Sequence, residues 1–115
     1  EWIIREMNRG VAYYILEVGE QAAGCVALAK INDEVCYLER LAVLPEQRQQ
    51  GFGEALVKHA LSEARNLGVF RVQIGIIADH QELLDWYEKL GFEKLEKKDF
   101  PQLVFPVAFM SYYFL

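Results

Sequence analysis

The stretch from Leu41 to Gly53 constrains this chain most. An apolar run ends at Pro45, and Arg48-Gln49-Gln50-Gly51-Phe52-Gly53 then opens an amphipathic helix. Pro45 cannot donate to a sheet ladder, so it closes the strand before it. The glycines let an anion approach the backbone, and a helix start offers unpaired N–H groups and the positive end of its dipole. Strand, turn and helix in that order make a cradle for phosphate. The helix runs from Gly51 to Leu67, with Phe52, Leu56, Ala60 and Ala64 on one stripe and Val57, Leu61 and Leu67 widening it. Gly68 stops it.

Periodicity assigns the other elements. Glu1 to Arg9 reads as a helix, with Trp2, Ile3 and Met7 at helical spacing and Gly10 as its stop. Val11–Val18, Ala22–Ile31 and Val35–Leu44 are β-rich segments that form an antiparallel meander. A two-residue turn at Asn32-Asp33 would set Cys25 opposite Arg40 and Cys36 opposite Ala29, so that the two thiols do not meet. Val69–Ala78 is a strand interrupted by Gly75, at a bulge or a close backbone approach. A helix over Gln81–Leu90, a strand from Phe92 to Leu95 and an apolar last strand over Val107–Leu115 complete the order. A strand–helix–strand crossover inside an otherwise antiparallel series implies a mixed sheet with helices packed on it.

At 115 residues, 53% of them hydrophobic, the chain suits a single folded domain over 1–115. A net charge of −5 argues against a general nucleic-acid binder, although Arg48, Lys58 and Arg65 leave room for a local basic patch. No apolar run reaches the roughly 20 residues that span a bilayer, and the first residues are no signal peptide. Cys25 and Cys36 read as small buried hydrophobes in a reducing compartment, the cytoplasm. The P-loop lysine is missing after the glycines and no dinucleotide G-x-G-x-x-G is present, so nucleotide binding is disfavoured.

Two features together carry a resemblance: Arg48, Gly51 and Gly53 after a strand, and Tyr87, Gly91 and Phe92 at the end of the next helix. The chain resembles the GNAT superfamily of acetyl-CoA-dependent N-acetyltransferases over essentially its whole length. The resemblance implies a mixed, mostly antiparallel sheet flanked by helices (an α/β, or α+β, fold), without the family's usual first strand and helix. The segment at Glu1 then falls inside the family's second helix. It implies coenzyme A pyrophosphate on the backbone N–H groups of Gln49, Gln50, Gly51, Phe52, Gly53 and Glu54, with Arg48 in the same turn. It places the pantetheine arm along Leu41, Ala42 and Val43, with an N–H of Val43 or a neighbour polarising the thioester carbonyl. Tyr87 is implied at the leaving thiolate, donating a hydrogen bond. His80 stands where many relatives carry a cofactor-contacting asparagine, and is otherwise a loop or N-cap residue.

Glu39 is the candidate general base. It lies two residues before Leu41 and shares its face by alternation unless a bulge intervenes, and its competing role is a solvated residue or a partner of Arg40. Tyr37, on the same nominal face, is a lesser participant. His59 falls on the exposed side of the long helix. Trp86 and the terminal aromatic residues read mostly as core, with the last strand available as a dimer contact or as one wall of the acceptor site. The expected activity is transfer of acetyl from acetyl-CoA to a primary amine of a small molecule or a protein, with no metal, nucleic acid or membrane involved. The alternative is a non-catalytic acyl-CoA-binding or regulatory module.

Overall fold

Alternating apolar residues lay down an antiparallel ladder in the first part of the chain, and the long helix then carries it across to a parallel neighbour. The computed structural model describes the backbone of residues 2–7 and all of residues 11–114. The elements are β1 (Trp2–Met7), β2 (Val11–Val18), β3 (Gln21–Lys30), β4 (Val35–Val43), a 3-10 turn (Pro45–Gln47), α1 (Phe52–Asn66), β5 (Arg71–Ile77), α2 (Gln81–Lys89), β6 (Glu93–Lys98) and β7 (Val107–Tyr113). They build one seven-stranded sheet in the order β1-β2-β3-β4-β5-β7-β6. Only β4 and β5 pair parallel, so the sheet is mixed and mostly antiparallel as the sequence implies.

The core lies between one sheet face and the helices. Leu56, Val57, Ala60, Leu61 and Ala64 of α1 pack with Tyr14, Val26, Leu28, Leu38 and Val72 of the strands, and α2 adds Leu84 and Tyr87. Leu67, expected on the buried stripe, lies past the last turn of α1 and is exposed.

Two further expectations are corrected. The segment read as a first helix is strand β1, paired along its length with β2 from Trp2 opposite Leu16 to Met7 opposite Val11. The edge of β2 offers ladder hydrogen bonds, and the adjacent Ile3-Ile4 favours strand, which outweighs a weak helical spacing. The proposed stop at Gly10 lies outside the described residues. The β3–β4 turn is longer than two residues: Asn32 Oδ1 accepts from the N–H groups of Glu34 and Val35. This side-chain bonding widens the loop and moves the register, so that Cys36 faces Lys30 and Cys25 faces Ala42. Both cysteines are free thiols, as expected. Strand β7 lies between β5 and β6 in the sheet.

His59 is not simply solvated. Its ring meets Tyr14 edge-on at 4.9 Å, and its Nε2 lies 3.7 Å from Glu63 Oε1. Burial pulls its pKa below the usual 6.5, with Glu63 opposing. A depressed histidine stabilises the folded state above its unfolded value and loses that contribution as the pH falls through the folded one. Urea melts are therefore expected to weaken as the pH drops below about 6.5. In His59→Gln that acid-side slope is reduced.

One close approach ties the fold to the site. A Cβ on Gly24 of β3 would lie 2.6 Å from the Ala42 carbonyl oxygen and 2.9 Å from Leu56 Cδ1. Gly24→Ala must push the end of β4 or α1 aside. Its expected cost is about 1–3 kcal/mol, measured by urea unfolding.

Candidate functional site

A bulge in β4 organises the site. Ala27 faces Glu39 and Cys25 faces Ala42, so one residue of β3 lies opposite Arg40 and Leu41 together. Arg40 takes the left-handed conformation, φ 56°, uncommon for a residue with a side chain. The extra residue reverses the alternation. Leu38, Leu41 and Val43 all pack toward the helices, while Glu39 is exposed on the other face with Tyr37. The expectation that Glu39 and Leu41 share a face is therefore corrected.

Beside the bulge the sheet opens. Strands β4 and β5 pair only from Val35 to Tyr37 against Arg71 to Gln73. Beyond Tyr37 the edge of β4 faces a gap. Leu44 N–H donates to the Ala23 carbonyl at 2.9 Å, so ladder alternation turns the N–H and C=O of Val43 away from β3, into the gap. Arg48 Nε donates to that Val43 carbonyl at 3.2 Å, which leaves the Val43 N–H as the free group and ties the turn to the strand.

On the helix side of the gap lies a groove of about 590 Å³. Its walls are Leu41, Ala42 and Val43 of β4, Gln47, Arg48, Gln49, Gly51, Phe52, Gly53 and Glu54 of the turn and helix start, and Leu83 and Trp86 of α2. The turn is shaped by two left-handed residues, Gln49 with φ 65° and Gly51 with φ 81°. The first bond of α1 runs from Ala55 N–H to the Gly51 carbonyl. Among the described residues, the six consecutive N–H groups from Gln49 to Glu54 donate to no protein acceptor. Six free donors curled around a left-handed turn at a helix start form an anion site.

Most of the residues expected to bind cofactor thus meet in one groove. Gln50, His80 and Tyr87 are not in its wall, though Gln50 contributes its N–H to the turn. His80 caps α2, its Nδ1 accepting from Leu83 N–H at 3.3 Å. The neutral ring then carries its proton on Nε2, as a donor. Tyr87 is buried directly behind the groove, its ring edge-on to Trp86 at 4.9 Å and to Phe92 at 5.3 Å. Burial pushes its pKa up to about 12. Its hydroxyl makes no hydrogen bond among the described residues, and it is not sealed from solvent.

The sequence reading took Trp86 for core, yet it is half-buried and walls the groove. A Cβ on Gly53 would meet its ring at 3.5 Å, an ordinary van der Waals contact, so the helix start and α2 pack closely here. The signal was present as the tryptophan immediately before Tyr87 on α2. The basic patch reduces to Arg48, because Lys58 is engaged by Glu54 at 3.2 Å and Arg65 sits in the last turn of α1. At 1.5 Å per residue that turn is roughly 20 Å from the cradle.

Across the gap, on the other sheet face, is a second cavity of about 290 Å³ whose lining includes Tyr37, Glu39, Arg40, Gln73, Gly75 and Phe109. Arg40 is not a partner of Glu39. Its Nη1 donates to the Tyr13 hydroxyl, and its guanidinium lies 5.8 Å from the centre of the Tyr13 ring.

A cradle for phosphate, a free strand edge leading from it and a second cavity across the sheet define a class of protein. Its groove suits a long anionic ligand, and the second cavity lies across the sheet from it. Residues 1–92 match the model of the acetyltransferase (GNAT) family, and the chain belongs to that family. It is 29% identical over 90 residues to the uncharacterized N-acetyltransferase YjgM of Escherichia coli, covering 76% of this chain and 54% of the relative. It is 30% identical over 86 residues to the uncharacterized N-acetyltransferase YvbK of Bacillus subtilis, covering 75% and 55%. The chain therefore spans about half the length of these curated relatives. The fold superposes on a GNAT family acetyltransferase from Elizabethkingia anophelis with acetyl-CoA bound, at a TM-score of 0.83 and 19% identity, covering 91% of this chain and 77% of that one.

Proposed function

We propose that residues 1–115 form a single N-acetyltransferase domain, working in the cytoplasm, that moves acetyl from acetyl-CoA directly to a primary amine of a small molecule or protein. The observation that carries this reading is the run of six free N–H groups from Gln49 to Glu54 at the mouth of a groove that continues along the unpaired edge of β4. A pyrophosphate suits that cradle, and an extended arm suits the strand edge beyond it.

Acetyl-CoA supplies the acetyl group already activated as a thioester. The cradle N–H groups hold its phosphates, and Arg48 adds the positive charge. Leu41, Ala42 and Val43 orient the arm, and the gap-facing N–H of Val43 stabilises negative charge as it develops on the thioester oxygen. Glu39 faces the second cavity and takes a proton from the acceptor ammonium, directly or through water, so that the neutral amine can attack the thioester carbonyl. Tyr87 donates a hydrogen bond toward the departing thiolate. His80 offers its Nε2–H beside the groove.

Two measurements test the reading. Calorimetry is expected to show binding of acetyl-CoA and coenzyme A. Binding of ATP without coenzyme A sinks the cofactor assignment. Free-thiol release across an amine panel is expected with at least one acceptor class, and its absence at saturating acetyl-CoA favours a binding module.

A further inference from the structure

The structure assigns Arg48 a second task beside its charge: it is a positioning residue that keeps the Val43 N–H aimed into the gap. This inference rests on the transferase reading and deepens it, because that reading uses Arg48 only as a positive charge at the cradle.

The end of β4 is laddered on one edge. Val43 lies opposite Gly24 of β3, and Leu44 N–H donates to the Ala23 carbonyl at 2.9 Å. On the gap side, among the described residues, no strand pairs with β4 beyond Tyr37. A strand end held from one side opens easily. Here a side chain five residues further on takes the place of the missing neighbour, with Arg48 Nε donating to the Val43 carbonyl at 3.2 Å. The Val43–Leu44 peptide is thereby fixed at both ends, its N–H on β3 and its C=O on Arg48. That holds the backbone of Val43, whose own N–H faces the same gap.

Arg48 is set up for this by the turn. Gln47 N–H donates to the Leu44 carbonyl at 2.9 Å and Arg48 N–H to the Pro45 carbonyl at 3.3 Å, so the chain from Leu44 to Arg48 closes on itself just before the cradle. A guanidinium carries five N–H donors in a planar fork. Nε is used on Val43, and among the described residues the two NH2 groups have no protein acceptor, which leaves them for an anion in the groove that Arg48 lines. One side chain thus serves the strand end and the phosphate site together.

The two tasks separate by substitution. In glutamine the amide nitrogen follows Cδ, as Nε does in arginine, so Arg48→Gln can keep the hold on the Val43 carbonyl without the charge. Lysine has carbon at that place and ends in a flexible point charge, so Arg48→Lys keeps the charge and releases the strand. The test combines calorimetry with inorganic diphosphate and coenzyme A with kcat from free-thiol release at saturating acetyl-CoA, using the most active amine of the panel. Arg48→Gln is expected to lose about tenfold in affinity for both ligands while kcat stays within about twofold of the parent. Arg48→Lys is expected to bind diphosphate within about twofold of the parent and to lose about tenfold in kcat. Arg48→Met, with neither donor nor charge, should lose both, and circular dichroism checks that all three variants fold. Equal loss of kcat in Arg48→Gln and Arg48→Lys, or an unchanged kcat in Arg48→Lys, overturns the inference alone. Absence of thiol release from any amine in the parent protein overturns the transferase reading, and the inference with it.

Discussion

Gly51→Glu is expected to abolish acetyl-CoA binding while leaving the fold in place. Nothing in the protein lies within 4 Å of a Cβ built at Gly51, so the new side chain enters open space at the cradle. The folded state bears only the left-handed strain of φ 81°, about 1–2 kcal/mol for a residue with a side chain. The ligand meets a carboxylate at the centre of six N–H donors aimed at an anion. Two like charges at about 4 Å repel by on the order of 4 kcal/mol near a protein surface. That alone lowers affinity by roughly three orders of magnitude, before the loss of room is counted. Asparagine tolerates the left-handed region, so Gly51→Asn should fold as the parent does and lose far less affinity. Calorimetry with coenzyme A, beside circular dichroism, checks both variants. Retained binding in a folded Gly51→Glu would remove the cradle from the site.

The cradle was legible because its chemistry is written in residue type. Only glycine adopts φ 81° freely, and proline must end a strand, so Pro45 and Gly51 announce their geometry. The Tyr87, Gly91 and Phe92 pattern is legible for a related reason. Gly91 takes φ 106° just after α2, and Phe92 then folds back against the Tyr87 ring. The bulge in β4 carries no such mark. Its left-handed residue is an arginine, and the devices that hold it come from other strands: the Tyr13 hydroxyl and ring, and the Cys25 thiol 3.7 Å from the Arg40 carbonyl. Period-two alternation could not foresee that Glu39 and Leu41 part faces. The second cavity was hidden likewise. Phe109 looks like any core aromatic until the ladder sets it over Gly75. Local rules locate the cradle, whereas the second cavity is assembled by pairing between distant strands.

Tyr87→Phe is expected to lower kcat by about 10- to 100-fold with little change in acetyl-CoA affinity, the loss of one hydrogen bond to a group that becomes charged. Its burial decides the kind of help it gives. A phenol pushed up to about 12 is a weaker acid than a thiol at about 8.5, so handing its proton to the thiolate climbs on the order of 5 kcal/mol. A hydrogen bond to the developing charge meets no such barrier. The pH profile separates the two roles. If Tyr87 donates only a hydrogen bond, a basic limb below about pH 10 belongs to other groups and stays put in Tyr87→Phe. If that limb disappears in the variant, Tyr87 is a true proton donor and the assignment fails. Stability supplies an independent control of the burial. An acid whose folded value lies above its unfolded value stabilises the fold while protonated in both states, and that contribution is lost as the pH rises from about 10 toward 12. Alkaline urea melts of the parent should therefore weaken across that window, and those of Tyr87→Phe should weaken less.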